Sequence, residues 1–307
     1  MDTELGYSII PLAILGGAIR VSTPFLFVSL GEALTERSGR INLGLEGTLV
    51  FGAMSGYAVA YLTNSPWLGV GAAMICGALF GLIHGVICSL PRVNDIAVGI
   101  AMMILGMGLA FYFGKPYVQP VAPDLPAIGF GWWSDIPQVR AALEVNVLFL
   151  IGAVLAVVLW WMLRSTRIGL ILRVVGDSTD AARAMGLRPA VVRTCATAVG
   201  GAFAGVGGAY LSLYYPGSWN EGISSGQGLM AVALVIFARW NPLACFGAAL
   251  LFGGAGALGP VLQSVGISEG YYLFFAAPYV LTLGVLIATS SPTRAMTGAP
   301  GELSITK

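Results

Sequence analysis

Long apolar runs separated by short polar breaks constrain this chain more than any other feature. A membrane helix needs roughly 20 predominantly apolar residues to cross about 30 Å of hydrocarbon. Nine stretches fit, at about 8–34, 44–62, 67–89, 95–114, 145–163, 190–213, 226–239, 242–262 and 271–289. Only 9% of the 307 residues are charged and 57% are hydrophobic, whereas a soluble chain carries about 25% charged residues. Water cannot be the solvent around such a fold. The sequence predicts an all-α membrane protein, a polytopic bundle of 8–10 transmembrane helices with nine favoured, forming one transmembrane domain over residues 1–307. The first stretch is overlong and holds Arg20 and Pro24, so a short helix followed by a span is one reading of it. The seventh is short enough to be half of a discontinuous helix.

Lys and Arg accumulate in cytoplasmic loops. Arg164, Arg167, Arg173, Arg183, Arg188 and Arg193 cluster between the fifth and sixth stretches, which places that segment inside. Alternation then puts Arg37, Arg40, Arg92, Arg239, Arg294 and Lys307 inside too, leaving Lys115 and Arg140 outside beside Asp124, Asp135 and Glu144. The expected topology has the N-terminus outside and the C-terminus in the cytoplasm, in a bacterial inner membrane. The opening residues MDTELGYSII lack the basic region of a cleaved signal peptide, so the first apolar segment is expected to stay.

A net charge of +1 gives no basis for binding nucleic acid. Cys76, Cys88, Cys195 and Cys245 lie in apolar stretches without metal-ligand spacing and read as small buried hydrophobes; no metal site is expected. Gly77, Gly81 and Gly85 stand four apart, Gly201 and Gly205 likewise, and Gly253, Gly254 and Gly256 cluster. Lipid supplies no hydrophobic drive between helices, so these read as close-packing surfaces.

Residues 164–193 form a cytoplasmic segment too polar for lipid. Asp177, Ser178 or Thr179 can cap a short helix through Ala181, Ala182, Arg183 and Ala184, which Gly186 ends before Pro189 restarts the chain. Such an alanine-rich helix can sit in a groove of another protein. The plain alternative is a solvated loop whose arginines set topology.

Asp180-Ala181-Ala182, three residues, then Gly186 resembles the EAA–three–G signature of ATP-binding-cassette importer permeases, with Asp in place of Glu. GEALTERSGRINLGLEGTLVFGAM, residues 31–54, is similar to the opening block of nucleoside permeases, and branched-chain amino-acid and sugar permeases share a looser form. ALVIFARWNPLACFGAALLFG, residues 233–253, resembles that group's late spans, including the Arg-x-Asn-Pro turn. The resemblance implies the importer permease fold, with Asp177, Asp180, Ala181, Ala182, Arg183 and Gly186 coupling to an ATPase subunit of two fused domains. It also implies a second, different permease chain and a solute-binding lipoprotein or periplasmic protein. ATP and Mg would be held by the ATPase; this chain has no phosphate loop ending in Gly-Lys-Ser/Thr and is expected to bind no cofactor.

Glu32, Glu36, Arg37, Arg40 and Glu46 surround the first cytoplasmic turn. A helical Glu36–Arg40 pair within an ion-pair network is one reading; a gate near the ATPase is the other. Asn94 and Asp95 suit the start of the fourth span as caps, and His84 reads either as a packed helix-end residue or as part of a proton relay. The permeases that this chain resembles often carry an asparagine about nine residues beyond Asn94, where this sequence has Met103. Ser224 to Gly228, including Ser225 and Gln227, can start a discontinuous helix facing a cavity or form an ordinary outer cap. Tyr210, Tyr214, Tyr215 and Trp219, with Tyr271, Tyr272, Phe274 and Phe275, read as an outer aromatic belt or as rings that stack on a nucleobase.

The leading expectation is an ATP-driven importer permease for a small polar solute, a nucleoside or related heterocycle; branched-chain amino acids or sugars are the alternative cargo. Sparse intramembrane acids disfavour an ion-coupled secondary transporter, and no nucleophile–base pair suggests an enzyme.

Overall fold

Lipid leaves each backbone N–H and C=O to be satisfied within its own segment, so apolar runs of this length fold as helices. The computed structural model describes residues 2–264, 274, 276–289 and 299–304. Its helices are α1 Asp2–Arg37, α2 Leu45–Thr63, α3 Pro66–Ile87, α4 Asp95–Gly114, α5 Pro137–Ala142, α6 Val147–Ser165 and α7 Arg167–Asp177. They continue with α8 Thr179–Ala184, α9 Pro189–Leu213, α10 Gln227–Phe237, α11 Pro242–Ser264, α12 Ala277–Thr289 and α13 Gly301–Ser304.

Six of these are long and apolar enough to cross a membrane, in α1, α3, α4, α6, α9 and α11. Among the described residues that makes six, so the favoured count of nine is not confirmed. The second stretch is the 19-residue α2, mostly buried among other helices, so its surface need not be apolar. The seventh is the 11-residue α10, half a span. The ninth lies partly outside the described residues, as do Tyr271, Tyr272, Phe275, Arg294 and Lys307. The first stretch does not divide: α1 runs through Pro11 and Pro24 without a break. The loop between α4 and α6 departs from the all-α expectation, because Ala127–Gly129 pairs antiparallel with Glu144–Asn146 and occupies the edge groups of an otherwise irregular segment.

Small residues set the packing. The expected glycine faces of α3 and α9 meet antiparallel: Gly77 faces Gly201, Gly81 faces Thr197, and Gly85 faces Thr194. A Cβ on Gly81 would overlap the Thr197 carbonyl oxygen. Gly253 brings α11 against Ala18 and Ser22 of α1, and Gly47 brings α2 against Met103 of α4. The core gathers around α1, α2 and α9, with Phe25, Leu30, Leu49, Tyr210 and Phe252 buried. Cys88 and Cys245 are buried as expected; Cys195 is exposed on the outer face of α9.

Candidate functional site

The segment 214–226 leads from the end of α9 to the start of α10, mostly exposed or half-buried but with Trp219, Ile223 and Ser224 buried against the bundle. The ring of Trp219 is buried with its Nε1 donating to the Gly114 carbonyl at 2.9 Å. Five residues later, Ser224 Oγ donates to Glu46 Oε1 at 2.5 Å, and the Gly226 N–H donates to the same oxygen at 3.0 Å. The N–H groups of Gly228 and Leu229 donate to Oε2 at 2.6 and 3.4 Å. One buried carboxylate from the start of α2 thus caps α10, where unpaired N–H groups and the helix dipole attract negative charge. Gly226 enters the turn at φ +79°. Gly228 is required by proximity, since a Cβ there would stand 2.6 Å from Glu46 Cα.

Eleven residues of helix rise about 16 Å, which carries α10 from Glu46 to the end of α1. There Trp240 Nε1 donates to Glu36, and Arg37 Nε donates to the Trp240 carbonyl at 3.3 Å. Glu32 is fully buried and accepts the Asn42 N–H at 2.8 Å, while its Oε2 has no hydrogen-bond donor. The broken helix is therefore gripped at both ends by acids of the α1–α2 hairpin.

This arrangement corrects two expectations. Glu36 and Arg40 do not pair, because α1 ends at Arg37 and Arg40 lies beyond the helical register; Arg40 binds Asp95 at 2.5 Å instead. Glu32, Glu36 and Glu46 form no ion pair among the described residues and are satisfied largely by neutral donors. The other candidates fall in several places. Ser225, at φ +46°, exposes its hydroxyl and offers its carbonyl to the Tyr279 hydroxyl at 2.9 Å. Gln227 keeps a buried Oε1 without a donor. Met103 lies against Gly47, next to Glu46. Trp219 is locked in the core, and Tyr214, at the end of α9, stacks near the buried Tyr210 at 5.3 Å, so neither Trp219 nor Tyr210 belongs to an exposed belt. His84 packs onto the Ile41 carbonyl at 3.2 Å, and Asn94 caps α4 through the Ile96 and Ala97 N–H groups.

A second constellation lies at the far end of the bundle. Ser178 caps α8 by accepting the Ala181 N–H at 3.3 Å, leaving Asp177 to finish α7. Gly186, at φ +76°, closes it, and the Leu187 N–H reaches back to the Ala182 carbonyl at 3.0 Å. Ala182 is buried; Asp180, Ala181, Arg183 and Met185 are exposed. Arg193, buried in α9, donates to the Ser38 and Val175 carbonyls and to Thr179 Oγ1, each at 3.0 Å. Glu302 of α13 accepts both the N–H and the hydroxyl of Thr179 at 2.8 Å and lies 3.5 Å from Arg193. Burial raises the Glu302 carboxyl, but the Thr179 bonds and the Arg193 charge outweigh it and hold its pKa below the usual range. Sequence reasoning read Arg193 only as a topology signal and Ser224 only as part of a helix start or outer cap, without the Glu46 partner; it missed the Glu36 contact of Trp240, and Glu302 altogether. The Arg-x-Asn-Pro turn was a signal for Trp240; a lone acid in the polar tail was none for Glu302.

A helical membrane bundle with a broken inner helix and an exposed, anchored short helix at one end defines a permease subunit. The match to known families gives it a place: residues 3–289 fit the model described as branched-chain amino acid transport system / permease component, and the chain belongs to that family of ATP-binding-cassette importer permeases. It is 34% identical over 260 residues to TsgC13 of Haloferax volcanii, named as a glucose ABC transporter permease, covering 83% of this chain and 79% of that one. It is 30% identical over 290 residues to the guanosine permease NupQ of Bacillus subtilis, covering 85% and 87%. The nucleoside permease NupC of Lactococcus lactis is 31% identical over 280 residues, covering 86% and 88%. The same Bacillus holds a second matching chain, the guanosine permease NupP.

Proposed function

We propose that this chain, as a single transmembrane domain, is one half of an importer path for nucleosides, driven by ATP hydrolysed on a partner ATPase that docks at α8. The observation that carries the ATPase contact is α8 itself. It is a short exposed helix fixed by Ser178, Arg193 and Glu302, and its Asp180, Ala181, Ala182, Arg183 and Gly186 follow the family's coupling pattern. Asp177 joins it to the tail, as the Gly301 N–H points to its Oδ1 at 3.4 Å. ATP and Mg belong to that partner, and two fused ATPase domains would serve two permease chains.

The nucleoside cargo rests on the names of NupQ and NupC, and the pairing with a different permease chain on the coexistence of NupP and NupQ. The broken helix suits an uncharged cargo. A half-helix start in a transporter commonly faces an anionic solute group, and here Glu46 already supplies that charge. Glu46, Gln227, Ser225 and Met103 mark the level of the path where α10 begins. A lipoprotein or periplasmic protein delivers the solute to the outer side of a bacterial inner membrane, and α13, bonded to α8 through Glu302 and Thr179, lies on the cytoplasmic side with the C-terminus.

A monosaccharide is the second reading, favoured by the 34% identity to TsgC13. Labelled guanosine and glucose, offered to vesicles holding the full transporter with active or hydrolysis-dead ATPase, separate the two. Guanosine uptake that needs active ATPase is expected. Uptake of glucose alone would move the cargo to sugars, and uptake driven by an ion gradient with the dead ATPase would sink the whole reading.

A further inference from the structure

Between α8, the start of α9 and the end of α3 lies a cleft of about 380 Å³, lined by Arg40, Ser89, Thr179, Arg183, Arg188 and Arg193. We propose that it binds the phosphate headgroup of an anionic phospholipid.

Among the described residues no carboxylate lines the cleft, although four guanidinium groups do. Arg40 and Arg193 have acids behind them, Asp95 and Glu302, which fix their positions at the wall. The Arg183–Asp180 pair is 3.6 Å long with both side chains exposed, so solvent screens it. Arg188 has no ion-pair partner among the described residues, and the buried Nε of Arg40 has no acceptor. Ser89 and Thr179 commit their hydroxyls to Gly85 and Glu302, so recognition falls to the arginines. The planar guanidinium groups of Arg183 and Arg188, which line the cleft without a buried acid partner among the described residues, suit tetrahedral phosphate oxygens. The first turn of the 25-residue α9 adds the positive end of its dipole.

The surroundings favour a lipid over a protein carboxylate. Ser89 and Pro189 stand at the ends of membrane-spanning helices, where headgroups lie. Beside them Val86, Leu90 and Val191 are 52%, 56% and 55% exposed. Acyl chains from a headgroup in the cleft have an apolar surface to follow, which an acidic side chain of a docked subunit does not need. Basic pockets between membrane helices hold anionic headgroups in this way. The proposal does not depend on the cargo.

The test uses the full transporter in nanodiscs of phosphatidylcholine with about one-fifth phosphatidylglycerol, with retained phosphatidylglycerol counted by native mass spectrometry. Each charge at an anionic surface is worth about a factor of five, so Arg188→Glu, a change of two charges, should weaken retention about 25-fold. Arg167→Glu, an equal change at an exposed position of α7 outside the cleft, should leave it unchanged. If Arg188→Glu does not yield folded protein, Arg188→Ala should show about a fivefold loss. Equal retention by the variants and the parent would overturn the site. So would displacement of the lipid by inorganic phosphate, which would make the ligand a free anion, or its loss whenever the ATPase is bound, which would give the cleft to that subunit.

Discussion

The carboxylate of Glu46 accepts the N–H of Gly228 at 2.6 Å, so an acid at the foot of α2 caps a helix 182 residues farther along. This contact lets a helix start inside the bundle without an orphaned end. Glu46→Ala would leave Ser224, Gly226, Gly228 and Leu229 donating into a buried space with no acceptor. A buried donor without a partner costs about 1–3 kcal/mol, and some of these donors will find water, so a loss of about 3 kcal/mol is expected. Glu46→Gln keeps one carbonyl and should lose less. Thermal unfolding in detergent checks the order; equal midpoints for the parent and both variants would refute the cap.

Gly81 and Gly71 lie on the same helix and should respond oppositely to alanine. At Gly81 the new methyl meets the Thr197 backbone, which cannot yield without parting α3 from α9, whereas at Gly71 nothing lies within 4 Å. Overpacking of this kind costs about 1–3 kcal/mol, while an unhindered glycine-to-alanine change in a helix gains about 1 kcal/mol. Melting of the two single variants, Gly81→Ala lower and Gly71→Ala equal or higher, is the expected outcome. The reverse order would mean that α3 and α9 do not pack as described.

The Glu302 latch makes a signed prediction about pH. Its folded pKa lies below the ordinary 4.5, so the stabilisation is fully present above that value and is lost as pH falls through the depressed one. Across neutral pH the latch should not titrate at all. Glu302→Gln removes the charge at every pH and should loosen the hold on α8 by about 1–2 kcal/mol. Hydrogen exchange of the Thr179 amide should then quicken in the variant at pH 7. In the parent it should quicken, relative to the intrinsic rate, only in acid. Equal protection in both at neutral pH would remove Glu302 from the anchoring of α8.

Apolar run length and glycine spacing announced most of the bundle because both are local. The face formed by Gly77, Gly81 and Gly85 is visible at helical spacing, and its partner on α9 is a second such face. The short helix α8 was legible from Ser178 and Gly186, whose capping roles depend on their immediate neighbours. Glu46 was visible only as an acid near a turn. What it does depends on residues 224–229, and nothing in the local sequence of either segment names the other. The Glu36–Arg40 expectation failed for a related reason, since an i,i+4 spacing means a pair only while the helix lasts. Glu302 was silent because an isolated acid in a polar tail looks the same whether it is solvated or clamped.

Gly186 joins local geometry to the proposed coupling. Its φ of +76° is one that β-branched side chains resist by about 1–2 kcal/mol, although no atom lies within 4 Å to oppose a Cβ. Gly186→Val should therefore act through the backbone, freeing the Leu187 N–H from the Ala182 carbonyl and fraying the end of α8. Gly186→Asn, which tolerates the left-handed region, should keep the turn. If α8 carries the stroke between ATPase and permease, Gly186→Val will hydrolyse ATP with little solute moved, and Gly186→Asn will stay close to the parent ratio. Solute transported per ATP hydrolysed, measured on reconstituted transporter with equal amounts of assembled ATPase, separates this from simple loss of assembly. An unchanged ratio in Gly186→Val would detach α8 from coupling while leaving the permease fold untouched.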